Sequence, residues 1–152
     1  MDLTIRAAAA QDLPDLLALY GQLHPGAPDV APGEAARIHE AFSRYPGSAI
    51  FVGYLGGEAV TTCALVVVPN LTRGGTPYAL IENVVTQADQ RRRGFGGQVL
   101  RHAISAAWAR GCYKVMLLTG AEDAAVLRFY EGVGFEQGTT GFQIRRVPRR
   151  AG

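Results

Sequence analysis

A strand, an arginine- and glycine-rich loop, a helix and a second strand follow one another between Tyr78 and Thr119. This run constrains the fold more than any other stretch of the chain. Tyr78 to Thr86 is apolar and rich in strand-forming residues. Gln87 to Arg93 is polar and cannot continue that strand. Val99, Leu100, Ala103, Ile104, Ala107 and Trp108 then recur at helical spacing within residues 94–110, and Gly111 ends the helix. Tyr113 to Thr119 is almost continuously apolar, as in a parallel strand buried on both faces. A strand–helix–strand unit within one sheet closes as a right-handed crossover with its strands parallel.

The remaining elements build around that crossover. Leu3 to Arg6 predicts a short strand. Asp12-Leu13-Pro14-Asp15 predicts a helix start, with Asp12 as cap and Pro14 in the first turn. Gly26 to Gly33 is a proline-rich loop, and Pro32 opens a second helix that Pro46-Gly47 closes. Ser48–Leu55 and Glu58–Val68 flank Gly56-Gly57, a strong two-residue hairpin signal. A short helix is expected over Ala124–Val133. Gly134-Phe135-Glu136 and Phe142 to Val147 are expected to finish the sheet. The order βααβββαβαββ is that of an α/β or α+β layer protein with a mixed sheet. With 152 residues, 48% of them apolar and 18% charged, the chain reads as one globular domain, residues 1–152.

Charge and cysteine usage narrow the function classes. The net charge is +2, and the basic residues are arginines except for Lys114. They cluster at Arg91-Arg92-Arg93 and in a tail, Arg145-Arg146 with Arg149-Arg150. Such clusters fit a polyanion site or a solvated surface. A nucleic-acid partner is not expected, because its binders spread a wider basic face. Cys63 and Cys112 lie far apart within apolar stretches and read as reduced core thiols, not as a disulfide or a catalytic nucleophile. His24, His39 and His102 lack metal-ligand spacing, so no metal is expected. No apolar run approaches the ~20 residues of a membrane helix, and the first residues lack a signal-peptide pattern. A cytoplasmic protein with no membrane partner is therefore expected.

The chemistry concentrates at Arg91-Arg92-Arg93-Gly94-Phe95-Gly96-Gly97. Glycines at a helix start let a ligand approach the backbone. The unpaired N–H groups and the helix dipole favour negative charge, and arginines add charge-assisted donors. The segment has no Lys for a Walker A loop. It also lacks the third glycine of a dinucleotide fingerprint, with Val99 in that place. The downstream segment Phe129-Tyr130-Glu131-Gly132-Val133-Gly134-Phe135 is expected to end a short helix and enter a strand.

Together these segments resemble the GNAT superfamily of N-acetyltransferases. Arg91-x-x-Gly94-x-Gly96 looks like its Gln/Arg-x-x-Gly-x-Gly/Ala acyl-CoA motif, and Phe129-Tyr130-x-x-x-Gly134-Phe135 looks like its C-terminal motif. Their order and separation match as well, and the likeness is clearest over residues 78–147. The resemblance implies a mixed, mostly antiparallel sheet with a parallel βαβ core and flanking helices. It implies acetyl-CoA as cosubstrate, with the pantetheine arm beside Val84 and Val85 where two strands splay. The pyrophosphate would lie on the N–H groups of Arg92, Arg93, Gly94, Phe95, Gly96 and Gly97. An amine, on a small molecule or a peptide, would attack the thioester directly in a ternary complex. Dimers are common in the superfamily.

Glu82, inside an apolar strand between Ile81 and Asn83, is the candidate base, and burial is expected to raise its pKa. The backbone N–H near Val84 would polarise the carbonyl. Tyr130 is the candidate acid for the leaving thiolate. Asp123 stands where the superfamily commonly has an Asn beside the cofactor arm. His24 lies in a loop that often borders the acceptor. Ile81–Val85, Gly111–Val115 and Gln143-Ile144-Arg145 also resemble glucosamine-6-phosphate N-acetyltransferases. Those enzymes, however, carry Asp where this chain has Asn83 and an Asp near Leu118-Thr119-Gly120. Two other readings stay open: an acyl-CoA-binding sensor without turnover, and a basic nucleic-acid-associated regulator.

Overall fold

A two-residue turn at Gly56-Gly57, both in the left-handed region, joins β2 (Ala49–Leu55) to β3 (Glu58–Val68) as the expected hairpin. The computed structural model describes residues 2–148. It carries five strands and four helices. Besides the hairpin these are β1 (Thr4–Ala7), α1 (Leu13–Leu23), α2 (Pro32–Ser43), β4 (Tyr78–Thr86), α3 (Phe95–Ala109), β5 (Val115–Met116) and α4 (Ala124–Val133). The chain divides after Leu117 into two units. Arg149 and Arg150 of the basic tail lie outside the described residues.

The first unit holds one sheet in the order β1-β2-β3-β4-β5. It is antiparallel except for the parallel pair β4–β5. The mixed, mostly antiparallel architecture expected from the sequence is thus present. Helices cover both faces. On one, Leu16 and Leu19 of α1 bury against Val52 and Val85. On the other, α3 turns in Val99, Leu100, Ala103 and Ala107, all fully buried, and the Cys63 thiol reaches the Val99 carbonyl at 3.7 Å. Burying one such leucine contributes about 1.5–3 kcal/mol. At the far end of β4, Lys114 lies over the rings of Tyr78 (5.5 Å) and Tyr113 (5.3 Å).

Asp12 takes the expected N-cap position of α1, but its side chain makes no capping bond there. Its carboxylate is instead the centre of a buried node, 2% exposed. Arg6 donates to both of its oxygens at 2.6 and 2.8 Å. The Tyr54 hydroxyl donates at 2.6 Å and the Ala9 N–H at 2.7 Å. The node ties β1, α1 and β2 together. The Arg6 guanidinium holds the Asp12 carboxyl well below the usual carboxylate range. Burial, followed by the two hydroxyl bonds to Asp12 and Asp15, pushes the Tyr54 phenol up.

The second unit contains α4, which matches its expected bounds. The Asp123 side chain accepts from the Ala125 N–H at 2.8 Å, so Asp123 is the cap of this helix. Gly134 closes it, with the Phe135 N–H returning to the Tyr130 carbonyl at 3.2 Å.

Two strand expectations need correction. The Tyr113–Thr119 strand shrinks to Val115–Met116 and is half-buried. No strand forms over residues 134–136 or 142–147, where Phe142, Ile144 and Val147 are 91%, 99% and 70% exposed. A helix closes its own hydrogen bonds, whereas a strand needs a partner ladder and a covered face. Residues 142–147 have neither.

Candidate active site

The ladder between β4 and β5 contains just two pairs, Ala79–Val115 and Leu80–Met116. From Ile81 to Thr86 the β5-side edge of β4 therefore runs without a ladder among the described residues. Along this stretch the other edge of β4 is also interrupted. Ala64 pairs with Glu82 and Thr62 with Val85, so Asn83 and Val84 face the single residue Cys63. This is a β-bulge, and Asn83 absorbs it at φ +53°. Asn tolerates the left-handed region better than most residues. Beyond the bulge the Thr61 hydroxyl meets the Thr86 hydroxyl at 2.9 Å and the Val85 carbonyl at 3.3 Å, holding the end of β4 to β3.

The regular register before the bulge decides where Glu82 points. By register Glu82 shares the sheet face of Ala64, Thr62 and Val85, the face that α1 covers. The cover reaches Val85 but leaves Glu82 and Asn83 exposed. The expected burial of Glu82 is thus overturned. Its carboxylate opens to solvent with no hydrogen bond or ion pair among the described residues. The apolar neighbours in sequence do not enclose it, because Ile81 faces the other way.

After β4, a turn of 3-10 helix at Ala88–Gln90 leads to the arginine and glycine segment. Arg91 donates from Nε to the Thr86 carbonyl at 3.2 Å, bracing the loop against the end of β4. Arg92 and Gly94 both take positive φ, +61° and +83°. A left-handed residue costs a side-chain-bearing position of order 1 kcal/mol, so a turn held this way is set by its surroundings. A Cβ added at Gly94 would meet nothing within 4 Å, so its backbone conformation, not crowding, selects glycine there. The first intrahelical bond of α3 runs from the Gln98 N–H to the Gly94 carbonyl at 3.1 Å. The N–H groups of Phe95, Gly96 and Gly97 precede it and have no helical acceptor. Arg93 stacks on the Phe95 ring at 4.9 Å and donates to Gln90. Three guanidinium groups, a left-handed turn and unpaired N–H groups are what a pyrophosphate requires.

In the second unit, Tyr130 is half-buried, with its ring edge-on to Phe135 at 6.2 Å and 5.0 Å from Phe129. Asp123 is committed to capping α4. His24 is exposed at the end of α1. Cys63 is fully buried, and burial pushes its thiol up to about 12. Cys112 is also buried and shifted upward for the same reason. Both are free thiols, as expected. Sequence reasoning missed one residue that touches the loop: Gln22 of α1, whose side-chain oxygen accepts the Ala88 N–H at 2.9 Å. An exposed glutamine at a helix end carries no sequence signal of that reach.

Comparisons with known proteins agree with this architecture. The glucosamine 6-phosphate N-acetyltransferase of Trypanosoma brucei brucei is 32% identical over 89% of this chain and 90% of that protein. A protein of Agrobacterium tumefaciens assigned as an acetyltransferase superposes with a TM-score of 0.89 at 52% identity, over 94% of this chain and 99% of that one. A Trypanosoma brucei acetyltransferase gives 0.83 at 29% identity, over 95% and 99%. The profile of the Acetyltransferase (GNAT) family matches residues 13–135, a span that contains the bulged strand, the arginine and glycine loop and α4, and the chain belongs to that family.

Proposed function

We propose that this cytoplasmic chain transfers the acetyl group of acetyl-CoA to a primary amine, by direct attack in a ternary complex. The observation that carries this reading is the join of β4 to α3. A bulged strand end without a ladder on one edge runs into a left-handed, arginine-lined turn with three unpaired N–H groups. That join fits a long ligand with an amide-bearing arm and a pyrophosphate. Val84 and Val85 would pair with the arm, and Arg91, Arg92, Arg93, Gly94, Phe95, Gly96 and Gly97 would hold the phosphates.

The thioester supplies an activated acyl carbon. The amine nitrogen attacks it; a C–N bond forms and the C–S bond breaks. Glu82, unpaired and open on the α1 face, takes the proton from the amine directly or through one water. The Val84 N–H, turned out of register by the bulge, donates to the carbonyl oxygen as charge develops there. Tyr130 returns a proton to the leaving thiolate. A phenol near pKa 10 and a thiol near 8.5 are close enough for that exchange. The role of Tyr130 rests on its motif, and Asp123 serves that motif by fixing the start of its helix.

The acceptor class follows the relatives only as a starting point. Glucosamine 6-phosphate heads the panel because the Trypanosoma brucei brucei relative carries that name. Asn83 replaces the Asp of that group, and its backbone is occupied in making the bulge.

The test is release of CoA thiol from acetyl-CoA across amines, with glucosamine 6-phosphate first and a lysine peptide included. Release dependent on one amine is expected. Acetyl-CoA binding without release to any amine would favour a sensor. Salt-dependent binding to DNA or RNA without acetyl-CoA binding would favour the nucleic-acid reading. Cys63 and Cys112, buried as thiols, should add only a slow background to the thiol assay.

A further inference from the structure

Gln22 connects two parts of the chain that the sequence treats separately. It lies in the last turn of α1, one residue before the helix ends at Leu23 and two before His24. Its side-chain oxygen accepts the N–H of Ala88, sixty-six residues away, at 2.9 Å. Ala88 opens the 3-10 turn that carries the chain from β4 into Arg91–Gly97.

Three further bonds from Gln87 hold the same turn. The Gln87 N–H donates to the Val60 carbonyl at 2.8 Å. The Gln87 amide donates to Glu58 and to Asp89, each at 2.9 Å. The first two anchor the turn to β3, and the third ties it to itself. Gln22 is the anchor that comes from the helix layer. Nothing else among the hydrogen bonds of the described residues links α1 to residues 87–97. The contact is open to water, and Gln22, Asp15, Glu58 and Gln87 border a cleft of about 420 Å³ between α1, the hairpin and this turn. The turn is therefore not packed in place from behind, and a side-chain bond can set its position.

We infer that Gln22 is a positioning residue for the acyl-CoA loop, linking it to the end of α1 and the segment 24–31 that follows. The inference rests on the acetyltransferase reading above. With the bond in place, the point where the chain leaves the sheet and the point where α1 ends are fixed to one another. Ordering of residues 88–97 by phosphates then also orders the start of the α1–α2 connection. Gln22 touches neither substrate and contributes no proton. Its effect is on where the loop donors stand before a ligand arrives.

Two substitutions separate this role from simple packing. Gln22→Met keeps length and bulk and removes the acceptor. Gln22→Glu keeps an acceptor oxygen at the same reach. Acetyl-CoA affinity is measured by calorimetry. Amide exchange is followed by mass spectrometry over residues 20–31 and 87–97, with and without acetyl-CoA. Loss of one such bond predicts about three- to tenfold weaker acetyl-CoA binding for Gln22→Met, with the melting temperature lowered by no more than about 2–4 °C. It also predicts faster exchange at 87–97. In the unaltered chain acetyl-CoA should slow exchange at 20–31, and in Gln22→Met it should not. Gln22→Glu should restore both properties. Unaltered acetyl-CoA affinity in Gln22→Met, or a ligand effect on residues 20–31 that survives it, overturns the inference. Failure of the unaltered chain to bind acetyl-CoA overturns the functional reading itself, and the inference with it.

Discussion

Asp12 and Glu82 are two carboxylates on the same sheet-and-helix unit, and the structure treats them in opposite ways. Asp12 is buried and accepts four hydrogen bonds, two from Arg6, one from Tyr54 and one from the Ala9 N–H. Glu82 lies on an open stretch of sheet face with no partner among the described residues. A buried charge is tolerated when its lone pairs are filled, and filling them removes it from chemistry. An unfilled carboxylate at a strand bulge can still accept a proton from a ligand. The difference separates a carboxylate that holds the fold from one left free to take up a proton.

The contrast can be broken most sharply at Glu82. Glu82→Gln should lower turnover by about 10²–10⁴-fold, the usual contribution of a positioned base, while acetyl-CoA affinity and melting temperature stay unchanged. Steady-state kinetics beside a thermal melt reads both, and normal turnover would remove Glu82 from the mechanism.

Asp12→Asn should do the reverse. Loss of charge-assisted bonds of this kind costs about 2–3 kcal/mol, which at this chain length lowers the melting temperature by roughly 5–10 °C. Turnover per folded molecule should hold. An undisturbed melt would show that the node is not carrying the β1–α1–β2 junction. Tyr54→Phe is milder, at about 1 kcal/mol, because Arg6 still satisfies the carboxylate.

Acid adds a gradual version of the same experiment. The Asp12 carboxyl titrates lower in the folded chain than in the unfolded one, where it lies near 3.9. Its stabilisation is therefore whole above about pH 5 and is lost as pH falls from there toward the folded value. The melting temperature of the unaltered chain should fall more steeply between pH 5 and 2 than that of Asp12→Asn. Parallel curves would show that another acid dominates.

The same pair explains what could be read in the sequence. Both helices before the hairpin, the hairpin itself, β4, α3 and α4 are legible because periodicity, caps and glycine turns act over a few residues. The arginine and glycine loop is legible for the same reason, since its glycines and arginines are consecutive. The sequence pattern places Glu82 in a strand, as found, but also implies a burial that the structure does not give it. The cover from α1 reaches Val85 but not Glu82, and where a helix stops covering a strand has no local signature. Asp12 was read as a cap, because its partners Arg6 and Tyr54 come from two other strands. The strand over residues 142–147 has the right alternation, yet a strand exists only where a ladder receives it.

One further consequence lies at Lys114. Of the fifteen lysines and arginines it is the single lysine, and it rests over Tyr78 and Tyr113. A catalyst of amine acylation is always exposed to its own product chemistry, and most proteins present many amines to it. Guanidinium groups are always protonated and make poor nucleophiles. By using arginine for nearly every positive charge, this chain keeps its surface basic while offering an acyl donor almost no side-chain amine of its own. Prolonged incubation with acetyl-CoA should therefore leave its mass nearly unchanged. For the experimenter, an amine-reactive dye has one side chain to find.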